Sequence, residues 1–313
     1  MSKTAFIFPG QASQYPGMGR EQAEKYEVAR EVFAEADRAL GFPISRLCFE
    51  GPEEELKLTA NTQPAILTCS VATFRVLVAS GMQPDYVAGH SLGEYSALVA
   101  AGSLTLADAV VTVRKRGSYM QEAVPVGSGA MAAILGLPRA RVEEICAEAA
   151  QGEVLSAANV NSGEQIVIAG KAAAVARAVE LAPERGAKRA VPLPVSAPFH
   201  CELMRPAQER LEADLMKLTF NHLRYPSVTN VDVRLIESGA AARDALIRQV
   251  TAPVRWEESM RLLISLGVRR FVEVGPGKVL TGLLRQIDRR IPCWNVEDEN
   301  SLQSALEKFH AGE

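Results

Sequence analysis

The sequence predicts an α/β fold: a large domain built on a parallel sheet, interrupted by a smaller module of βαββαβ order. Three observations predict it. Short apolar runs such as Thr4-Ala5-Phe6-Ile7-Phe8 read as strands buried on both faces. They alternate with amphipathic helical stretches, the pattern of a parallel sheet with helical crossovers. Between residues 129 and 196 the alternation changes to strand, helix, two strands, helix, strand, the order of an inserted unit.

Composition narrows the class. A chain of 313 residues is long enough for one large domain or two modest ones with real cores. With 34 basic against 37 acidic residues the formal charge is −3, so no general field draws it to nucleic acid or an anionic membrane. The first apolar run is stopped by Pro9-Gly10, which excludes a signal peptide there. No uninterrupted apolar stretch is expected to span a bilayer. The cysteines at 48, 69, 146, 201 and 293 form no C-x-x-C pair, and they read as reduced thiols of a cytoplasmic, metal-free protein.

Taken in order, the first strand ends in Pro9-Gly10-Gln11-Ala12-Ser13-Gln14. Ligands of open α/β sheets sit at such carboxyl ends, so this loop is either a wall of a site or an ordinary strand-to-helix turn. Helices are expected over 21–40 and, more apolar, over 63–80. Tyr86-Val87-Ala88 then leads into Gly89-His90-Ser91-Leu92-Gly93, with a helix at once after it that ends near Gly102. This is a G-x-S-x-G nucleophile elbow in its strand–turn–helix setting. The glycines make room for a sharp turn that pushes Ser91 Oγ out over the sheet edge. The helix start turns free N–H groups, Leu92 among them, toward a developing oxyanion. Ser91 is the candidate nucleophile.

Residues 106–124 form a long helix with the apolar stripe Leu106, Ala109, Val110, Val113, Gly117, Met120, Val124. At about 100° per residue Arg114 and Lys115 point away from it, whereas Arg116 lies roughly 60° from Val113, at the edge of the buried face. A half-buried arginine needs an anionic partner. An internal Asp or Glu is the commoner one; a substrate carboxylate is the other, and a guanidinium fork suits it.

After a Val126-to-Ala130 linker come a strand over 130–135, a helix over 139–150, strands over 154–161 and 165–169, a helix over 172–184 and a strand over 188–195. This is ferredoxin-like order, and a cleft between such an insert and its host is a common ligand site. The chain leaves it through Pro192-Leu193-Pro194-Val195-Ser196-Ala197-Pro198-Phe199-His200. Of the four histidines, His310 lies in a polar tail, His222 in a loop, and His90 is locked in the elbow. His200, in a proline-stiffened loop, is therefore the best base for Ser91. The alternation resumes with a strand over 226–231, helices over 243–250 and 257–266 and a strand over 271–274. Gly275-Pro276-Gly277-Lys278 lacks the spacing of a phosphate loop. The large domain, residues 1–128 and 197–313, is thus α/β-hydrolase-like, with a ferredoxin-like subdomain at 129–196.

Phe8-Pro9-Gly10-Gln11-Ala12-Ser13-Gln14, Gly89-His90-Ser91-Leu92-Gly93-Glu94-Tyr95, Gly129-Ala130-Met131-Ala132-Ala133, the Ser196-to-His200 segment and Val274-Gly275-Pro276-Gly277 occur together and in this order. Over essentially its whole length the chain resembles the malonyl-CoA:acyl carrier protein transacylases of bacterial fatty acid synthesis, relatives of polyketide synthase acyltransferase domains. The resemblance implies a Ser91–His200 dyad acting by ping-pong transfer through a malonyl-serine ester. It implies an oxyanion hole from the N–H groups of Gln11 and Leu92, and a backbone carbonyl at Gln249 that orients the imidazole. It further implies Arg116 as the grip on the malonyl carboxylate, Asn161 near the pocket, and no cofactor or metal. Malonyl-CoA and acyl carrier protein are the implied partners, and a monomer the implied state. Two departures stand out. Ala12 sits where many members have a glycine. Phe199 sits where some bacterial members carry serine; it resembles malonyl-selective polyketide enzymes and would crowd a methyl branch.

Two rivals share features with this reading. A serine hydrolase or thioesterase shares the elbow, but α/β hydrolases place their histidine late, after an acidic partner. A carrier-docking subunit without turnover would need none of Ser91, His200 and Arg116. An acyltransferase that serves a polyketide carrier is the alternative within the family.

Overall fold

The computed structural model of the chain describes residues 3–195 and 197–311. Its strands are β1 (Lys3–Phe8), β2 (Tyr86–Gly89), β3 (Gly129–Leu135), β4 (Leu155–Ser162), β5 (Gln165–Lys171), β6 (Arg189–Pro192), β7 (Ser227–Val228), β8 (Leu235–Ile236), β9 (Val268–Val274) and β10 (Cys293–Val296). Six of them form one sheet in the order β10-β9-β1-β2-β7-β8. Every pairing in it is parallel except β7 with β8 at the edge.

β1 is central because both of its faces are apolar. Ala5 and Ile7 join Trp256, Met260 and Leu263 in one core, while Phe6 and Phe8 join Phe74 and Tyr95 in the other. Helix Trp256–Ser265 and helix Val279–Ile287 supply the first layer; helices Thr59–Ala79, Leu92–Ala100 and Leu106–Glu122 supply the second. The register sets Phe8 opposite Gly89, so the loop after β1 and the turn after β2 leave the sheet side by side.

The remaining four strands form a separate antiparallel sheet in the order β4-β5-β3-β6. One face carries Ile134, Ile166 and Ile168 under helices Arg139–Ala150 and Ala172–Glu184. The other face gives Met131, Val167 and Ala169 to the main core. Reciprocal bonds from Val160 N to Val254 O (2.8 Å) and from Val254 N to Ala158 O (2.9 Å) stitch β4 to the large sheet's side.

Several expectations need correction. The strand expected over 188–195 ends at Pro192, because Pro192 and Pro194 lack N–H groups for a ladder. The strand expected over 226–231 is only Ser227–Val228, and Asn230 is free to turn its side chain to the elbow. The helix expected from 243 starts at Gly239, where Ser238 accepts from Ala241 N. The helix after His200 opens as a 3-10 turn, Glu202–Met204, before Arg205–Leu215. Helices Ile44–Glu50, Val279–Ile287 and Glu299–Ala311 and strand β10 were not expected at all. Helix Thr59–Ala79 is long and apolar enough by length and composition to cross a membrane, although Asn61, Gln63 and Arg75 interrupt its apolar run. Its most apolar window is 83% buried inside the fold, which makes it a core helix. Ser196, the first residue of the Ser196-to-His200 motif and the end of the expected insert, lies outside the described residues, as do 1, 2, 312 and 313.

Candidate active site

The elbow is tight for reasons the glycines make plain. A Cβ on Gly89 would stand 1.9 Å from the Gly93 carbonyl, and one on Gly93 would stand 2.0 Å from Phe8 O. Strand and helix therefore touch backbone to backbone. Ser91 pivots between them at φ 52°, ψ −106°, in the left-handed region that L-residues avoid. Leu92 is the first helical residue, so its N–H has no intrahelical acceptor. The loop that carries Gln11 lies against the turn: a Cβ on Gly10 would meet His90 O at 2.6 Å. Ala12 adopts φ 77°, a left-handed conformation that glycine would take without strain.

His200 reaches Ser91 from the other side. Its Nε2 stands 2.7 Å from Ser91 Oγ, and its Nδ1 stands 3.0 Å from Gln249 O. A carbonyl only accepts, so Nδ1 carries the proton and Nε2 presents its lone pair to the serine hydroxyl. Burial and the Arg116 guanidinium push the imidazole down to about 3, which keeps it neutral. Ser91 is half-buried, whereas His200, Arg116 and Gln249 are buried.

Arg116 is deeper than expected: 1% exposed, not at the rim of the buried face. The reason is its neighbour. A Cβ on Gly117 would stand 2.7 Å from Thr59 O, so helices Leu106–Glu122 and Thr59–Ala79 meet at the backbone there and carry Arg116 inward. Its Nη1 donates to Gln63 Oε1 (2.9 Å), and its Nη2 donates to Gln249 Oε1 (2.9 Å) and to Ser91 Oγ (3.1 Å). Among the described residues its Nε has no hydrogen-bond partner and no carboxylate bonds it. The internal Asp or Glu is not found in contact with it among the described residues: the buried cation is held by neutral amides and a hydroxyl.

The remaining expected residues fall as follows. Gln249 contributes its side chain as well as its carbonyl, with Nε2 donating to Ser91 O (2.9 Å) and to Glu94 Oε2 (2.6 Å). Asn161, on β4, meets the elbow through His90, Oδ1 to Nε2 at 2.9 Å, and the His90 ring leans on Trp256. Phe199 is buried beside His200 in the main core. Gln11 receives a bond from Gln63 Nε2 at 3.4 Å.

Three residues at the site were not singled out from sequence. Gln63 is a buried polar side chain on the Thr59–Ala79 helix, one residue before Pro64. Asn230 follows β7; its Oδ1 accepts from Ser91 N (2.7 Å) and its Nδ2 donates to Gly89 O (2.7 Å). The carboxyl-end rule that marked the loop after β1 applies equally to it. Glu94 is one turn into the elbow helix and 1% exposed, and burial raises its carboxyl to about 7.

This geometry can hold an acyl group on Ser91, with a base on one side and a cation waiting for a negative charge on the other. The comparisons agree in kind. The family model for the acyl transferase domain matches residues 5–301. A malonyl CoA-acyl carrier protein transacylase of Escherichia coli K12 is 50% identical over 308 residues, 98% of this chain and 100% of that protein. An acyl carrier protein S-malonyltransferase of Vibrio cholerae superposes with a TM-score of 0.95 at 49% identity, covering 97% of this chain and 100% of the other. PlMCAT, a malonyl-transacylase solved with the type II PKS acyl-carrier protein AntF, gives 0.95 at 46%, covering 98% and 100%. The chain belongs to the acyl transferase domain family and, within it, to the malonyl CoA-acyl carrier protein transacylases.

Proposed function

We propose that the protein transfers the malonyl group of malonyl-CoA to the phosphopantetheine thiol of acyl carrier protein in fatty acid biosynthesis. The observation that carries this reading is Arg116: a buried guanidinium with no internal carboxylate, 3.1 Å from Ser91 Oγ. A buried charge left uncompensated is costly, and a dicarboxylic acyl chain on Ser91 supplies the missing anion.

The steps are two acyl transfers through one geometry. Ser91 Oγ attacks the thioester carbon while His200 Nε2 takes its proton, and the oxyanion rests on the N–H groups of Gln11 and Leu92. The carbon–sulfur bond breaks, and the CoA thiolate leaves with the proton from His200. The carrier thiol then gives its proton to His200 and attacks the malonyl ester; the carbon–Oγ bond breaks, and His200 returns the proton to Ser91 Oγ. Gln249 O keeps the imidazole turned to the serine throughout, and no cofactor enters. Phe199 narrows the acyl pocket, and Asn161 supports the elbow through His90. Around this site we read an α/β-hydrolase-like domain (1–128 and 197–313) with a ferredoxin-like subdomain (129–196) inserted. We further read a cytoplasmic monomer, a setting that suits five free cysteines.

A second reading has an observation behind it: the similarity to PlMCAT, solved with a type II polyketide carrier, favours a polyketide carrier as an additional acceptor. The deciding experiment is intact mass after brief exposure of wild type and Ser91→Ala to malonyl-CoA. A malonyl adduct confined to the wild type and discharged by holo-acyl carrier protein is expected. Free malonate without an adduct overturns the transferase in favour of a thioesterase. Discharge to fatty-acid and polyketide carriers in parallel decides between the two acceptors.

A further inference from the structure

Glu94 Oε2 is a junction. It accepts from Gln249 Nε2 at 2.6 Å and from Asn230 N at 3.3 Å. The same two residues grip Ser91 from opposite ends, Asn230 Oδ1 taking its N–H and Gln249 Nε2 reaching its carbonyl oxygen. Gln249 also offers Oε1 to Arg116 Nη2. These contacts fit only one orientation of the Gln249 amide. Turned over, its oxygen would face the Glu94 carboxylate and Ser91 O, acceptor against acceptors, and its NH₂ would face the guanidinium, donor against donor. A buried carboxylate is the strongest acceptor available to enforce that choice, since leaving it unpaired costs more than leaving a neutral group unpaired. Glu94 is fully enclosed, and no cation approaches it within salt-bridge distance among the described residues; its partners are the two amides.

Resting on the malonyl-transfer reading, we propose that Glu94 is a positioning residue for the acyl-carboxylate clamp: through the Gln249 amide it holds Arg116 in the place where a dicarboxylic acyl group is selected. Glu94 touches no reacting atom. It acts along carboxylate, amide and guanidinium, a relay that starts one helical turn after the nucleophile. A residue that merely filled space would affect all acyl donors alike; a residue that sets the clamp affects malonyl and spares acetyl.

The test compares Glu94→Leu, Glu94→Asp and Glu94→Gln with wild type for transfer from malonyl-CoA and acetyl-CoA to holo-acyl carrier protein. Leu removes the acceptor and Asp withdraws it by one methylene. In both, the malonyl-over-acetyl ratio of kcat/KM should fall by about tenfold or more, mainly through the KM for malonyl-CoA. Gln keeps an acceptor oxygen at the same reach and should hold the ratio within about threefold of wild type. An unchanged ratio in Leu and Asp overturns the proposal, as does an equal loss of both activities, or a fall in Gln that matches Asp. Should Leu fail to fold by thermal unfolding, Asp and Gln decide alone. Absence of malonyl transfer in the wild type itself overturns the reading of the whole site and this proposal with it.

Discussion

Ser91 and His200 share a backbone peculiarity, φ 52° and φ 60°, both in the left-handed region. Non-glycine residues stay there only when their surroundings over-determine them. Here Asn230 and Gln249 hold both ends of the Ser91 peptide, while Gln249 O holds the His200 ring. The imidazole is also a proton-linked part of stability. Its folded value, about 3, lies below its ordinary 6.5, so the unfolded chain takes the proton first. The stability it contributes is fully present above about pH 6.5 and is lost as pH falls from there toward 3. Glu94 and Glu273, raised to about 7 and about 6, run the other way: their contribution is present at low pH and is lost as pH rises through those values. Comparing wild type with His200→Gln isolates the histidine. Melting temperatures from roughly pH 7 to 4 should fall more steeply for wild type, and parallel curves would contradict the buried neutral imidazole. At Arg116 the expected outcome concerns substrates. Arg116→Ala should lower malonyl transfer on the order of a hundredfold and acetyl transfer far less, because only malonyl loses a charge-assisted partner. Equal losses would refute the clamp.

At the scale of elements, the elbow depends on the contact of β2, the Leu92–Ala100 helix and β1. Gly93→Ala drives a methyl group into Phe8 O, and the strand and helix must part to admit it. We expect a loss of roughly 3 kcal/mol or more in stability together with loss of acylation, checked by denaturant unfolding and by the malonyl mass adduct. The elbow was legible in sequence because its constraint is local: a turn, two glycines and a serine adjacent in the chain. β1 and the Leu106–Glu122 helix were legible through their periodicities. Helix Val279–Ile287 was not, because its N-terminus is capped from β9. Glu273 Oε1 and Oε2 accept from Leu280 N and Thr281 N, so no local capping residue announces the start. Ile44–Glu50 is too short, at seven residues, to repeat its pattern twice. The depth of Arg116 and the recruitment of Gln63, Glu94 and Asn230 are tertiary facts. They follow from how closely Gly117 lets two helices approach and from where β7 stops.

Across the whole molecule, the antiparallel sheet packs Met131, Val167 and Ala169 into the main core, and three hydrogen-bonded contacts from β4 that share no side chain add to that packing. Asn161 bonds His90, Val160 and Val254 bond through the backbone, and Ser162 Oγ donates to Gln286 Oε1 (2.8 Å). The elbow is therefore braced from both sheets. The Arg116 guanidinium beneath it, with no carboxylate in direct contact among the described residues, has a consequence for the molecule as a thermodynamic system. Its desolvation, only partly offset by neutral acceptors and the more distant Glu94, is a debt carried by the native state alone, since an unfolded chain hydrates its arginines freely. Any small dianion that enters the site relieves it without chemistry. Free malonate should thus act as a folding ligand, raising the unfolding free energy by about 2.7 kcal/mol at a hundred times its dissociation constant. Acetate at equal concentration should leave the melting temperature nearly where it was, and Arg116→Ala should erase the difference. An equal shift for both anions would trace the effect to ionic strength instead of the arginine. On this view acyl-group selection has an equilibrium signature, readable by calorimetry in an enzyme given no thioester at all.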